Sequence, residues 1–454
     1  MKKIVKAQQD FFNTNATKEV SFRIEQLKEF KRILKTNENL LNKAIYSDFK
    51  KSAFENYTSE LSLIYHDIDE AVKKVKRWSK VKRVKTNLAN FPAKSYIIPE
   101  PLGTTLIIGA WNFPYLTSLA PVVAAMAAGN TIILKPSELS PSTSGVMHKL
   151  ISNNFNTDYF SVIEGGIPET TELLEQKFDK IFFTGSVPVG RIVYEAASKH
   201  LTPVTLELGG KSPAFVTDTC NLKMTVKRLI WAKYLNAGQA CVAPDYVLVH
   251  KSIKDKFLEL AKTEIENAHF SIENDNYIQI INEKNVKRLM NIIDNKKIYC
   301  GGSSNLSERY IEPTILENVT FEDEIMKEEI FGPILPVIEY DNLDEIILKV
   351  KAQPKPLACY IYTEDRKTKN KLLQEISFGG GAVNDSNMHI TNTKMPFGGV
   401  GNSGTGSYHG EFGFKTFTHY KGILEKPTWF ELNLKYFPYT SKKLRFIKLM
   451  LGQK

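Results

Sequence analysis

The sequence predicts a two-domain α/β protein in which each domain is built on a parallel sheet with helical crossovers. Three observations predict it. The chain has 454 residues, more than one hydrophobic core usually spans, so two or three domains are expected. From residue 104 short β-rich apolar runs alternate with helical stretches, the pattern of β-α-β units. After residue 209 the alternation starts afresh.

The elements follow in order. Residues 18–78 place apolar side chains at helical spacing (Leu27, Phe30, Ile33, Leu34, then Leu61, Ile64, Ile68, Ala71, Val72 and Val75), which predicts a helical opening segment. "KTNLANFPAKSYIIPEP" mixes alternating apolar residues with prolines and reads as an irregular arm or edge strand. "TTLIIGAWNFPY", "TIILKPSE", "SVIEGG" and "KIFFTGS" give the strands of a first parallel sheet, with "SLAPVVAAMAAGN" as a crossover helix. Ligands bind at the carboxyl ends of such strands, where Asn112, Lys135 and Gly185 fall. "YVLVHK", "GPILPVIEY", "LACYIYT" and "GGGAVND" give the second. No repeat or low-complexity linker interrupts the chain.

Composition narrows the function classes. With 42% hydrophobic and 24% charged residues this is an ordinary water-soluble, folded chain. The net charge is +10, but lysines are interleaved with glutamates, as in "RIEQLKEFKRILK", so most are expected on solvated helix faces. No nucleic-acid motif accompanies the charge, and no nucleic-acid partner is expected. The four cysteines are far apart and form no CxxC, so neither a disulfide framework nor a zinc site is indicated and a reducing compartment fits. The N-terminus lacks an apolar signal core and no run reaches the ~18 residues of a membrane span, which reads as cytoplasmic.

Several motifs are tested against their chemistry. "FTGSVPVGRIVYEAA" puts Gly185 and Gly190 between a strand and a helix, but without the central glycine of the dinucleotide fingerprint; on its own it serves equally as a phosphate cradle or a plain turn. "GGKS" is no P-loop, since Thr205 stands where the first glycine is required. No histidine pair has metal-ligand spacing, so no metal is expected, and no nucleophile-elbow serine follows a strand. Cys241 remains. A free cysteine is more often an inert small hydrophobe, but Ala237, Gly238, Gln239 and Ala240 leave room around the sulfur, as a nucleophile requires. Something nearby must then favour the thiolate, and a helix N-terminus or a bound cationic nicotinamide ring can do so.

Taken together, "WNFPY" at 111, "LKPSE" at 134, "FTGS" at 183, "LELGGKSP" at 206, "GQAC" at 238, "EEIFGP" at 328 and "PFGGVGNSG" at 396 resemble the aldehyde dehydrogenase superfamily in order and spacing over almost the whole chain. "AGQACVAPDYVLVH", "FGGGAVND" and "SYHG" resemble its class 3 branch of fatty and aromatic aldehyde dehydrogenases. The resemblance implies a Rossmann-like cofactor domain (1–78 and 104–208), an α/β catalytic domain (209–404), and oligomerisation arms with a C-terminal tail (79–103 and 405–454) in a homodimer. It implies oxidation of an aldehyde to a carboxylic acid with NAD, NADP also being admitted. Cys241 would be the nucleophile, Asn112 and the Cys241 N–H the oxyanion donors, and Glu207 the general base that activates water. Lys135 and Glu138 would meet the adenosine ribose, Gly185 and Ser186 the pyrophosphate, and Glu329 and Phe331 the nicotinamide ribose and ring.

Trp231 and Phe113 match channel-lining positions in class 3 relatives, although aromatic residues at such spacing are commonly core. Glu207 favours water over coenzyme A as the acceptor of the thioester, because acylating relatives commonly lack it. A non-catalytic chain would have lost Cys241, Asn112 or Glu207. The tail "KYFPYTSKKLRFIKLMLGQK" mixes apolar and basic residues and suits either a peripheral membrane-surface helix or packing on the chain's own dimer.

Overall fold

The computed structural model describes residues 1–452. The chain opens with helices α1 (Lys2–Asn13), α2 (Val20–Thr36), α3 (Glu38–Phe49), α4 (Ala53–Asn56) and α5 (Ser62–Trp78). The apolar positions read from the sequence in α2 and α5 are buried, except Val72, which is half-buried. α1 is an addition to the sequence reading, which began at residue 18. Only Val5 and Gln8 are buried; Ile4 and Phe11 pack partly buried against the core, Phe11 with its ring centroid 6.4 Å from that of Phe22, and Gln8 Nε2 donates to the carbonyls of Ile132 at 2.8 Å and Thr157 at 3.1 Å.

This N-terminal segment carries two buried carboxylates that act on helices further along. Asp48 accepts hydrogen bonds from the backbone N–H of Ser142 and Thr143, each at 2.9 Å. Glu60 lies in a π-helical turn, Tyr57–Leu61, that joins α4 to α5, and accepts from the N–H of Tyr115 at 2.8 Å and Leu116 at 3.0 Å. The first-turn amides of a helix have no intrahelical partner, and these two side chains supply one for each of two helices.

β1 (Lys82–Val84) and β2 (Lys94–Pro101) follow. β2 is neither irregular nor an edge: it is the middle strand of a three-stranded sheet whose third member comes from near the chain's end. The prolines that suggested an edge, Pro99 and Pro101, lie beyond Ser95–Ile97, the residues paired with β1.

The first large sheet is built from β3 (Thr104–Ile108), α6 (Pro114–Ala128), β4 (Thr131–Lys135), α7 (Pro141–Ser152), β5 (Phe160–Val162), α8 (Ile167–Leu174), β6 (Lys180–Thr184), α9 (Val187–Ser198) and β7 (Val204–Glu207). Its parallel strands run in the order β7-β6-β3-β4-β5. β3, β4, β5 and β6 are buried throughout, as expected of strands covered on both faces. The strand order reverses between β3 and β6, which opens a crevice at their carboxyl ends.

The second large sheet takes in β8 (Pro213–Val216), α10 (Leu222–Tyr234), β9 (Tyr246–His250), α11 (Lys254–Ala268), α12 (Glu283–Ile292), β10 (Ile298–Cys300), a two-stranded ribbon of β11 (Ser304–Asn305) and β12 (Tyr310–Ile311) that stands apart, β13 (Thr314–Leu316), β14 (Ile334–Tyr340), α13 (Leu343–Lys351), β15 (Ala358–Tyr362), α14 (Arg366–Glu375) and β16 (Gly380–Val383). The order is β10-β13-β14-β9-β8-β15-β16, antiparallel only at β10. β10 to β13 are two or three residues each, too short to show alternation in the sequence. β17 (Gly404–Thr405) returns to the first sheet and pairs antiparallel with β7. α15 (Gly410–Thr416), β18 (Thr418–Glu425) and α16 (Ser441–Met450) complete the chain.

Both large sheets belong to one compact unit, Met1–Trp78 with Pro101–His419; Ser79–Glu100 and the chain from Tyr420 onward form a second.

Candidate active site

Two kinds of strand end supply the functional positions. In the first sheet they follow carboxyl ends: Asn112 after β3, Lys135 closing β4, Gly185 and Ser186 after β6, and Glu207 closing β7. In the second they precede amino ends: Gly209 and Lys211 before β8, Cys241 and Asp245 before β9, and Glu329 and Phe331 before β14. The carboxyl-end rule used on the sequence therefore covers the first sheet only.

The loop that bears Cys241 leaves α10 through three consecutive residues of positive φ: Asn236 at 55°, Ala237 at 50° and Gly238 at 70°. Asparagine tolerates this region and alanine does not, each such turn costing roughly 1–2 kcal/mol. Glycine is required at 238, because a Cβ there would lie 2.3 Å from the carbonyl oxygen of Gly332. Side chains fix the turn. Asn236 Nδ2 donates to the carbonyl of Asn112 at 2.9 Å and to that of Gln239 at 3.0 Å. Asn112 Nδ2 donates to the same Gln239 carbonyl at 3.1 Å. One N–H of the Asn112 amide is thus anchored, and the other is left to meet a ligand oxygen. Gln239 is pinned in turn by the N–H of Ile281, which donates to its Oε1 at 3.0 Å.

Cys241 is partly exposed and unpaired. Burial raises its thiol pKa well above the ordinary value, and the carboxylates of Glu207 and Glu329 raise it further against the backbone N–H groups of Cys241 and Val242. The protein groups that bear on Cys241 therefore bias its thiol toward the protonated form. Glu207 is 3% exposed, its Oε1 has no hydrogen-bond partner, and burial pushes its carboxyl well up as well. Glu329 is driven up to about 8, by burial first and then by the charge of Asp245, against the N–H of Gly210 and the cations Lys211 and Arg288. Its carboxylate lies where a Cβ on Gly209 would be, which explains a glycine there. Phe331, at φ 48°, sets its ring edge-on to Trp111 with centroids 5.3 Å apart.

"GGKS", rejected as a phosphate loop, has a structural task. Lys211 Nζ reaches Asp245 and the carbonyls of Ile325 at 3.0 Å and Glu328 at 2.9 Å, while Asp245 accepts from the N–H of Ile330 at 2.9 Å. The lysine ties the segment carrying Glu329 and Phe331 to the base of the Cys241 loop. Neither Lys211 nor Asn236 was singled out from the sequence, although Lys211 lies inside "GGKS" and Asn236 directly precedes "AGQAC".

The remaining positions suit a dinucleotide. Lys135 is buried and its Nζ donates to the carbonyls of Pro136 at 2.8 Å and Gly165 at 2.6 Å and to Glu138 at 3.2 Å, so it steers an exposed carboxylate. Ser186 caps α9 without a side-chain hydrogen bond, leaving first-turn amides free for an anion, and Thr184 Oγ1 is buried without a partner beside them. Phe113 packs its ring 4.1 Å from Lys51 Nζ. Trp231 is 46% exposed on α10, so it is not core. A cleft of about 240 Å3 between α9, β7 and residues 401–405 is lined by none of these residues. Among the described residues no group of metal-ligating side chains occurs.

Comparison with known proteins follows this geometry. A model of the aldehyde dehydrogenase family matches residues 1–423. The chain is 48% identical to 4,4'-diaponeurosporen-aldehyde dehydrogenase of Staphylococcus aureus over 96% of each chain, and 42% identical to the dimeric NADP-preferring aldehyde dehydrogenase of Mus musculus over 93% of each. Its fold is similar to that of Staphylococcus aureus AldH solved in a substrate-bound state, with a TM-score of 0.96, 46% identity and 99% coverage of both chains.

One consequence can be measured. With no cofactor present, alkylation at Cys241, followed by peptide mapping, should be slow at neutral pH and accelerate only above the ordinary thiol value, because the raised pKa keeps the thiolate scarce. A rate that levels off below pH 8 would contradict the protonated resting site.

Proposed function

The chain belongs to the aldehyde dehydrogenase family and oxidises aldehydes with NAD(P), and from that premise we propose that Cys241 is the nucleophile, Asn112 the oxyanion donor and Glu207 the general base. One observation carries this reading: the Asn112 side-chain amide donates to the carbonyl of Gln239, two residues before the partly exposed Cys241, and Asn236 ties the same turn to the Asn112 backbone.

Oxidised nicotinamide supplies the hydride acceptor. Lys135 and Glu138 would hold its adenosine ribose, Ser186 and the first-turn amides of α9 next to Gly185 its pyrophosphate, and Glu329 and Phe331 its nicotinamide end; the Gly185 N–H itself is already donated to the Glu207 carbonyl at 3.0 Å. Glu138 accepts from ribose hydroxyls and repels a 2′-phosphate, which favours NAD. The thiol, protonated at rest, becomes reactive when cationic charge enters a site otherwise lined by Glu207 and Glu329, since an opposite charge favours the thiolate. The thiol gives up its proton to water, and attack of the resulting thiolate on the aldehyde carbon forms a thiohemiacetal whose oxygen carries the charge. Its oxyanion receives the free N–H of Asn112 and the backbone N–H of Cys241, each such donor being worth roughly 3–4 kcal/mol. Loss of hydride from that carbon leaves a thioester on Cys241. Glu207, with an unpaired oxygen and a raised pKa, takes a proton from water as it attacks the thioester, and the carboxylic acid leaves.

Phe113 and the exposed Trp231 make the approach to Cys241 apolar, which suits an aliphatic or aromatic aldehyde. The named substrate of the Staphylococcus aureus relative is itself an aldehyde of this general reaction. The dimeric mouse relative supports a homodimer, and four free cysteines support a reducing, cytoplasmic setting. No helix among the described residues is long and apolar enough to cross a membrane. The tail supports peripheral attachment: Leu444, Phe446, Leu449 and Leu451 are exposed on or next to α16, among Lys442, Lys443, Arg445 and Lys448.

Glu207→Gln should still release NADH in a first turnover and then stall, with steady-state acid formation down by about 10^2- to 10^4-fold; undiminished acid release would remove Glu207 from the mechanism. For the tail, full-length enzyme should co-sediment with vesicles containing phosphatidylglycerol and lose that binding when salt is raised or residues after 440 are removed. Equal sedimentation of the shortened chain would exclude the tail as the contact.

A further inference from the structure

The oxyanion site is held from outside by a charge cluster in the N-terminal helices. Lys51 and Glu60 are both fully buried and joined Nζ to Oε1 at 2.8 Å. A buried ion pair is expensive to desolvate and is a poor stabiliser by itself, so its connections matter. Glu60 turns its other oxygen to the N–H groups of Tyr115 and Leu116, the first turn of α6, three and four residues after Asn112. Lys51 Nζ sits 4.1 Å from the ring centroid of Phe113, the residue next to Asn112. From the same segment Glu55 Oε1 accepts the backbone N–H of Asn236 at 2.9 Å, and Asn236 is the residue whose side chain bridges Asn112 and Gln239. Both halves of the oxyanion site, the amide at 112 and the turn leading to Cys241, thus receive a carboxylate from one short stretch.

The π-helical turn makes this possible. Positions 55 and 60 are five apart, and on a regular α-helix they would diverge by about 140°. Hydrogen bonds of the i→i+5 kind over Tyr57–Leu61 turn the chain by less per residue and narrow that divergence, and such turns are frequent at functional sites.

We propose that Lys51, Glu55 and Glu60 are positioning residues for the oxidation reaction: the Lys51–Glu60 pair fixes where α6 begins and hence where the Asn112 amide points, and Glu55 fixes the left-handed turn that presents Cys241. The proposal rests on the catalytic reading above and adds to it residues that touch neither substrate nor cofactor.

The test uses the full-length enzyme. Glu55→Ala removes the acceptor for the Asn236 N–H and should lower kcat by about 10- to 100-fold, with the KM for NAD and the thermal midpoint unchanged. Glu55→Gln retains an oxygen at that position and should recover most of the rate. In combination with Asn112→Ala, Glu55→Ala should add almost no further loss, because coupled residues are not additive. The pair variant Lys51→Met/Glu60→Gln should show the same kcat-selective loss; if it fails to fold, the Glu55 series decides. An unchanged kcat in Glu55→Ala, or full additivity with Asn112→Ala, would overturn the proposal while leaving the catalytic reading intact. Full activity in Asn112→Ala itself would overturn both.

Discussion

The structure depends on one bridge, the carboxamide of Asn236. It sits at the start of a left-handed turn that an alanine and a glycine must share, and its two N–H groups span the carbonyls of Asn112 and Gln239. Without that bridge the first sheet's loop after β3 and the second sheet's loop before β9 would be joined only by the single Asn112–Gln239 contact. The bridge joins the loop ends of the two sheets, and it offsets the local backbone cost of turning three residues into positive φ.

The electrostatics follow from the same closure. The carboxyl ends of one sheet and the amino-end loops of the other are brought together around Glu207, Cys241 and Glu329, and burial holds all three toward their neutral forms. The same burial disfavours a free thiolate at Cys241 and raises the proton affinity of the Glu207 carboxylate above that of an ordinary one. Lys211 and Asp245 keep the Glu329 segment attached to the Cys241 loop, so a lysine that resembled part of a phosphate motif acts as a strut.

Much of this was legible in the sequence because it is local. Cys241 stood out by its small neighbours, Asn112, Lys135 and Gly185 by their places at strand ends, and the strands of both sheets by their apolar runs. What escaped depends on distant contacts. α1 is held in part through Gln8, whose partners Ile132 and Thr157 lie more than 100 positions along the chain. β2 has prolines that suggested an edge, but its second partner comes from more than 300 residues later in the chain. Lys51, Glu55 and Glu60, in "FKKSAFENYTSE", look like a solvated helix face, and no local pattern signals a π-helical turn or a buried ion pair. The bias of the thiol toward its protonated form is no more legible locally: it comes first from burial, and then from Glu207 and Glu329, which lie 34 and 88 positions from Cys241 along the chain.

The most direct measurement is peptide mapping by mass spectrometry of enzyme acid-quenched during turnover with an aldehyde and NAD. The account predicts an acyl group, the aldehyde less one hydrogen, on Cys241 and nowhere else. Turnover without any acyl group on Cys241, or with it on Cys220, Cys300 or Cys359, would contradict the account.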